Sequence, residues 1–472
     1  MKDDPNPSRK KFSFPDTYVL ILCLLLLAAA LTYLIPAGSY DRVQDLAAGR
    51  EVVVPGTYHV IEQTPVSLGG LFMAIPKGMM KNAITVFFIF IIGGAFGVVN
   101  ATESLHRLIA RVIHRTGGSH KRAELVVVLL AAIFALAGGV IGMAEECLAF
   151  LPIMIALTIG LGFDAVVGVA IVMLGVAVGY GAAPINPFTV GLAQSIAGLP
   201  MFSGMWFRWI FWVVSVTVLC THLVLYCRKI KKDPSRSLVA DVDYSGFVIS
   251  GDEQKTLTKR HVATLVVFLG GIALLMYLII ARSFYLQELV AYFFGLGILC
   301  GFVYGMTPNE IAAAFVKGMQ DMVYPAILVG LASGISVIME EGHILDTIVY
   351  GCSKALDFAP PILNGGIMML IQSLINLAIP SGTGQAIVTM PLMAPLADVS
   401  GITRQVAVLA YQMGDGFSNS IVPTLGMLMA AISIGKITYG RWVKFIAKWL
   451  ACQLVVNFIF LMIAVAIHLG PS

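Results

Sequence analysis

Charged side chains are scarce in this sequence. Asp, Glu, Lys and Arg together make up 12% of its 472 residues, against 58% hydrophobic residues and a mean hydropathy of +0.89. A water-soluble chain of this size could not hide so much apolar surface, so the scarcity of charge places the chain in a bilayer. Cysteine is sparse as well. The seven cysteines are scattered without CxxC spacing, which argues against a disulfide framework or a metal cluster. The eight histidines show no metal-ligand spacing and no nucleophile partner, so the sequence offers no catalytic residue and reads as a protein that is not an enzyme. A GxxxxGK[ST] phosphate loop is missing, which argues against an ATP-driven pump. Long polar stretches are also missing: only 228–260 is charged and rich in Ser and Asp, and it reads as a linker, not a domain. The net charge of +4 belongs to loop lysines and arginines and does not form a nucleic-acid surface.

What the chain does have is long apolar runs, such as Tyr18 to Pro36, Thr85 to Thr102 and Trp209 to Cys227, each near the ~20 residues that a helix needs to cross the hydrocarbon core. The first follows Arg9-Lys10-Lys11 but is too long for a signal peptide and lacks a small-x-small cleavage site, so it reads as a retained helix. It also has a repeat. At an offset of 239 residues Pro152 falls on Pro391, Gly162 on Gly401, Gly175 on Gly414 and Pro184 on Pro423, and Lys77-Gly78-Met79 matches Lys317-Gly318-Met319 after a one-residue slip. Such a period lies far outside those of solenoids and propellers.

Basic loops are retained in the cytoplasm. Loop 101–122 carries five Lys or Arg against one acid, whereas its mate, 340–360, carries one Lys against Glu340, Glu341, Asp346 and Asp357. The mates therefore lie on opposite sides, which makes the repeat inverted and requires an odd crossing between the halves, for which Val262 to Ala281 is available. Lys77 and Lys81, which fall on the outer side, fit this scheme poorly. The expected architecture is an all-α polytopic membrane protein, about nine crossings in all. It begins with a cytoplasmic tail at 1–16. Repeat 1 spans 17–227, with a re-entrant hairpin at 123–160 and a broken transmembrane helix at 164–198. A cytoplasmic linker at 228–260 and a linking helix at 261–281 follow. Repeat 2 spans 286–468, with a hairpin at 361–397 and a broken helix at 403–435.

Four interruptions concentrate the chemistry: the hairpin turns at 138–146 and 379–385, and the breaks at 179–187 and 414–423. Gly142, Gly179, Pro184, Pro187, Pro380, Gly414 and Pro423 mark where the helices open. Irregular backbone at membrane depth is tolerated only where it lines a protein cavity, and paired breaks in the two halves point to a transport site. Half-helix N-termini suit anions and exposed carbonyls suit cations. Asn186, Thr189, Ser381, Gly382, Thr383, Gln385, Ser418 and Asn419 are the candidate substrate-binding residues. Glu145, Glu146 and Asp415 are the only charges at the interruptions, with no Lys or Arg beside them. An ionised side chain at bilayer depth costs about 2.5–3.5 kcal/mol, so these acids read as one shared cation or proton site. The competing structural reading makes the three acids helix caps.

The tips GMAEE (142–146) and PSGTGQA (380–386), with INPFTVG (185–191), TRQVAVLAYQMGDGFSN (403–419) and LIPAGSY (34–40), resemble the C4-dicarboxylate anaerobic carrier-like family over nearly the whole chain, and most of all its basic amino acid antiporter branch. The resemblance implies an ion transporter superfamily architecture with elevator-like motion, a homodimer, and a multi-pass location in a bacterial cytoplasmic (inner) membrane with the N-terminus inside. The implied activity is secondary active transport of a small molecule with no cofactor, coupled to Na+ or H+ or run as exchange. Related dicarboxylate carriers place Ser-Asn-Thr at each tip. Here only Ser381 and Thr383 match that motif, and a dianion would be repelled by Glu145, Glu146 and Asp415 unless a cation neutralised them. The sequence therefore favours a basic amino acid such as arginine or ornithine over a C4-dicarboxylate, and a carrier over a channel, which would not need two closing hairpins.

Overall fold

A computed structural model of the chain describes residues 17–45, 50–54, 56–105, 107–108, 111, 120–245, 257–282, 284, 286–354 and 360–470. The expected tail at 1–16, much of the basic loop 101–122, residues 246–256 of the linker and the acidic loop position Asp357 lie outside the described residues.

In the first half, apolar stretches form α1 (Thr17–Leu34), α2 (Leu68–Lys81), α3 (Ala83–Ala101), α4 (His120–Val140), α5 (Leu151–Gly160), α6 (Ala165–Gly181), α7 (Leu192–Ile196) and α8 (Met205–Lys232). After α9 (Lys259–Arg282), the second half forms α10 (Leu286–Tyr304), α11 (Pro308–Gln320), α12 (Val323–Glu341), α13 (Leu345–Ser353) and α14 (Pro361–Ala378). It closes with α15 (Gly382–Val399), α16 (Arg404–Ser418), α17 (Gly426–Ile434) and α18 (Tyr439–Ala466). Local chemistry sets the ends. Ser67, Asp164, Thr307 and Thr403 each accept a backbone N–H of the helix they precede. Gly162 and Gly401, which coincide in the repeat, take φ of +81° and +72° and turn α5 into α6 and α15 into α16.

The halves interlock. α1 and α2 pack on α12, and α10 and α11 pack on α3, while α1, α2 and α3 touch one another little. The contact surfaces are glycine-lined. A Cβ on Gly78 would lie 2.5 Å from the Gly334 nitrogen and 2.6 Å from the Gly330 oxygen, and one on Gly318 would run into the backbone of Gly93 and Gly97. Each Gly of the two Lys-Gly-Met stretches thus docks on a Gly-xxx-Gly pair of the opposite half, the packing that lets apolar helices approach without a hydrophobic driving force. Around the second centre, α4 and α5 flank α6, α14 and α15 flank α16, and α6 crosses α16. Every residue of α6 but Tyr180 is buried, as its uniformly apolar sequence requires. Leu26, Leu27, Val213, Leu225, Val455 and Ile459 are exposed, an apolar outer surface suited to lipid.

Several expectations are corrected. The all-helical architecture carries short strands that the sequence reading did not place: between α1 and α2, β1 (Gly38–Ser39) pairs with β4 (His59–Val60) and β2 (Arg42–Asp45) with β3 (Arg50–Val53), both antiparallel. Arg42 and the Tyr40 N–H tie this segment to Asp346 of α13. The break markers Gly179 and Gly414 lie inside α6 and α16. They are glycine because a Cβ there would strike the Ala135 oxygen and the Met369 oxygen, each at 2.6 Å. The true gaps are at 182–186 and 419–425. Residues 228–232, assigned to the linker, continue α8, whose last turn carries Lys229, Lys231 and Lys232, favourable at a helix C-terminus. Beyond them, Ser237 donates to Asp164 and Tyr244 to the Gly435 carbonyl, so the linker's first part is fastened to the body. Seven described helices are long and apolar enough to cross a membrane. The expected nine crossings leave out α4 and α14, which the sequence reading makes hairpin arms, and add α1, α9 and the two broken helices, which are not among the seven.

Candidate functional site

The two hairpin tips face one cavity of about 840 Å³. The first tip leaves α4 at Val140, turns at Gly142 with φ of +77°, and continues as a short 3-10 helix, Glu145–Phe150, that feeds α5. The second leaves α14 at Ala378 and starts α15 at Gly382, with Ser381 as its cap, so the positive N-terminal end of an 18-residue helix opens on the cavity. The lining also includes Asn82, between α2 and α3, and Thr85, Ser333 and Ser336. The Asn82 amide donates to the Ser333 hydroxyl.

Glu145 and Glu146 line this cavity. Glu146 accepts the Ala144 N–H at 2.8 Å, and Glu145 is half-buried. Among the described residues neither forms an ion pair with Lys, Arg or His. The cavity's only lysine, Lys81, pairs with Glu340, and Lys77 pairs with Glu341. These pairs account for two outer lysines that fitted the loop charges poorly, since each is matched by an acid of α12.

Asp415 lies elsewhere. It sits in the last turn of α16, is 1% exposed, and does not line the cavity. Its Oδ1 accepts from Asn419 at 3.3 Å and its backbone oxygen from Asn376 at 3.2 Å, but Oδ2 is buried without a donor. Thr189 Oγ1 is likewise buried and unpartnered. Both side chains converge on Gly382: a Cβ there would come within 2.9 Å of Asp415 Oδ2 and 3.2 Å of Thr189 Cγ2. Among the described residues, no three His, Cys, Asp or Glu side chains cluster as metal ligands. Glu145 and Glu146 thus line the cavity, while Asp415 is buried behind Gly382, a residue that lines it.

The candidate polar residues divide in the same way. Ser381, Gly382, Thr383 and Asn419 line the cavity; Asn186, Thr189, Gln385 and Ser418 do not. Asn186 is a cap: it accepts the N–H groups of Phe188 and Thr189, which open the π-helical turn Pro187–Gly191, and donates to the Gly138 oxygen across the first tip. Gln385 Nε2 donates to Gln372 while its Oε1 is buried without a partner, and Ser418 donates to the Gly414 oxygen at 2.6 Å. Thr383 donates to the Phe188 oxygen at 3.3 Å, joining the second tip to the first half's break. Pro187 lines the cavity beside Phe188, while Pro184 and Pro423 lie in the gaps behind it.

Reasoning on tips and breaks overlooks the wall of Asn82, Thr85, Ser333 and Ser336. Its signal was present, as three polar residues on apolar α3 and α12 with one between helices, at depths where polar side chains mark pathways. A second cavity of about 620 Å³, lined by Asn100, Asp321, Ser433 and Lys436, lies between α3, the α11–α12 junction and the end of α17.

A family profile described as DcuC, C4-dicarboxylate anaerobic carrier, matches residues 14–466. The chain is 30% identical over 479 residues to the Escherichia coli protein named "Putative basic amino acid antiporter YfcC", covering 93% of this chain and 94% of that protein. An uncharacterized protein of Haemophilus influenzae is 28% identical over 515 residues, covering 98% and 99%. Among solved structures, the YdaH transporter of Alcanivorax borkumensis aligns with 97% of this chain and 100% of its own at a TM-score of 0.42 and 17% identity. MtrF of Neisseria gonorrhoeae, described within a class of antimetabolite efflux pumps, covers 98% of both chains at 0.40 and 19%.

Proposed function

The chain belongs to the C4-dicarboxylate anaerobic carrier family and is a membrane transporter, not an enzyme, and from that premise we propose that it is a secondary active transporter of a basic amino acid of the arginine or ornithine kind. The observation that carries this reading is the pair Glu145 and Glu146, which line the cavity with no basic partner among the described residues and share it with the N-terminus of α15. A cationic amino acid satisfies both features, because its side-chain charge neutralises the acids and its carboxylate meets the helix end and Ser381. A C4-dicarboxylate satisfies the second feature only.

Asp415 takes the coupling role. Its unpartnered Oδ2 reaches Gly382, against which the Thr189 methyl also packs, so a proton or small cation held at Oδ2 would tie ion binding to the position of the second tip. The interlocked packing of the halves supports an inverted repeat, in which α1–α3 and α10–α12 make a frame and the tips with α6 and α16 make the moving part. The family resemblance adds the homodimer, the elevator-like stroke and the bacterial inner membrane, and the basic loops put the N-terminus in the cytoplasm.

Uptake into proteoliposomes tests the reading. Labelled arginine and ornithine should enter against a loaded counter-substrate or down a sodium or proton gradient, and succinate should not compete. Uptake of succinate with indifference to arginine would replace this reading with the carboxylate one.

A further inference from the structure

The two helices that close the halves use one position in two ways. α8 and α18 are each 28 residues long, and the fourth residue of each, Arg208 and Trp442, is fully buried. Each donates a side-chain N–H to a backbone carbonyl of the neighbouring gap: Arg208 Nε to the Pro184 oxygen at 3.1 Å, and Trp442 Nε1 to the Ser420 oxygen at 2.8 Å. Trp442 is neutral. Arg208 carries a permanent charge, both of its Nη atoms are buried without a partner, and no carboxylate lies within ion-pair distance of it among the described residues.

The one acceptor on this charge lies just past the end of a helix. α6 stops at Gly181, and the Pro184 carbonyl that takes the Arg208 Nε–H sits in the gap beyond that negative C-terminal end. Carbonyls at the unwound part of a broken helix are what a transporter offers to a coupling cation. The second gap has the opposite balance: the fixed charge in the last turn of α16 is Asp415, the wrong sign for a helix C-terminus, and its Oδ2 has no donor. The first gap holds a cation of the chain itself, and the second holds an anion.

We propose that Arg208 is a tethered cation, which fills from within the chain the place that an exchangeable cation would take at the first gap, so that the carrier couples through the second gap alone. The inference rests on the reading of Asp415 as the ion site. It names Arg208 as a positioning residue, acting on the Pro184 carbonyl and through it on the Asn186-capped turn that carries Phe188 to the cavity.

The test is the cation response of the purified full chain, read as the thermal unfolding midpoint while sodium chloride replaces choline chloride and, separately, while pH is lowered. Arg208→Gln and Arg208→Trp should gain a response to sodium or to protons roughly double that of the wild type, since a vacated cation site adds its own binding free energy to folding. Arg208→Lys should titrate as the wild type does. Neutral variants that can be purified only with sodium or at low pH, beside an Arg208→Lys that needs neither, would give the same answer. The proposal is overturned if Arg208→Gln and Arg208→Trp titrate like the wild type, if Arg208→Lys behaves as they do, or if no cation condition rescues the neutral variants. Asp415→Asn separates the two readings. Its loss of the wild-type response beside a gain in Arg208→Gln supports both; a wild-type response kept in Asp415→Asn beside that gain removes Asp415 and leaves Arg208 standing.

Discussion

The hydroxyl of Tyr411, buried in the middle of α16, donates to the carbonyl of Gly382 at 2.7 Å and so pins the first residue of α15. Tyr180 of α6 does the same to Gly142, also at 2.7 Å, at the other tip. Each hairpin is latched by a tyrosine of the broken helix that follows it. Tyr411→Phe should cost about 1 kcal/mol of stability, the ordinary worth of one such bond. Its sharper signature should be faster amide hydrogen exchange at 379–384 with no change at 140–146, and Tyr180→Phe should reverse the pattern. Equal exchange at both tips in either variant would show that the hydroxyls are not latches.

Separate places for the acids predict separate phenotypes. Glu145→Gln or Glu146→Gln should raise the KM for a cationic substrate by roughly tenfold or more, the loss of one charge-assisted contact. Asp415→Asn should leave binding of that substrate near normal while abolishing or shifting the ion or pH dependence of uptake. Uptake kinetics across an ion series decide the matter, and identical effects from all three variants would restore a single shared site.

At the crossing of α6 and α16 there is no room for a side chain on Gly416, where a Cβ would run into the backbone of Gly181. Gly416→Ala should destabilise the protein by about 1–3 kcal/mol through overpacking. Gly270→Ala, where a Cβ meets nothing within 4 Å, should be tolerated. Thermal melts of both variants provide the check.

Asp398, near the end of α15, forms a two-pronged ion pair with Arg404, whose Nη1 also donates to the Ala197 carbonyl. Both partners are partly exposed. Asp398→Asn should therefore cost no more than about 1 kcal/mol and leave uptake unchanged. Arg404→Ala, which also strips Ala197 of its donor, should cost more. A lower uptake rate in Asp398→Asn at matched folded protein would show that this pair takes part in transport.

The orientation is open to chemistry at two exposed positions. In a cysteine-light background, Glu62→Cys should react with an impermeant maleimide on intact cells and Ser235→Cys only after permeabilisation. Reaction of both from one side would sink the inverted repeat.

How much of this was legible depends on what each residue's meaning requires. Gly162 and Gly401 could be found because a positive φ leaves a trace that needs no partner. Gly179 and Gly414 were misplaced because a glycine that opens a helix and one that lets another helix approach are written with the same letter. Asn186 drew attention as a polar residue at a break, but whether such a side chain faces a ligand or caps its own turn depends on the course of the next three residues. Lys77 and Lys81 were anomalous for as long as their partners, some 260 residues away, were unknown. The short strands β1–β4 offered no run long enough to show a period of two.

The interlocked packing has a consequence for biosynthesis. A ribosome delivers α1, α2 and α3 long before α10, α11 and α12, yet those first helices find their partners almost entirely among the later ones. Until α11 and α12 have been made, the Gly93–Gly97 pair and Gly78 lack the glycines on which they dock. α4, α5, α6 and α8, by contrast, find one another within the first half. A nascent chain interrupted after α8 should therefore hold those four helices packed together beside an undocked α1, α2 and α3, and expression of residues 1–232 alone should leave these three open to quality-control proteolysis.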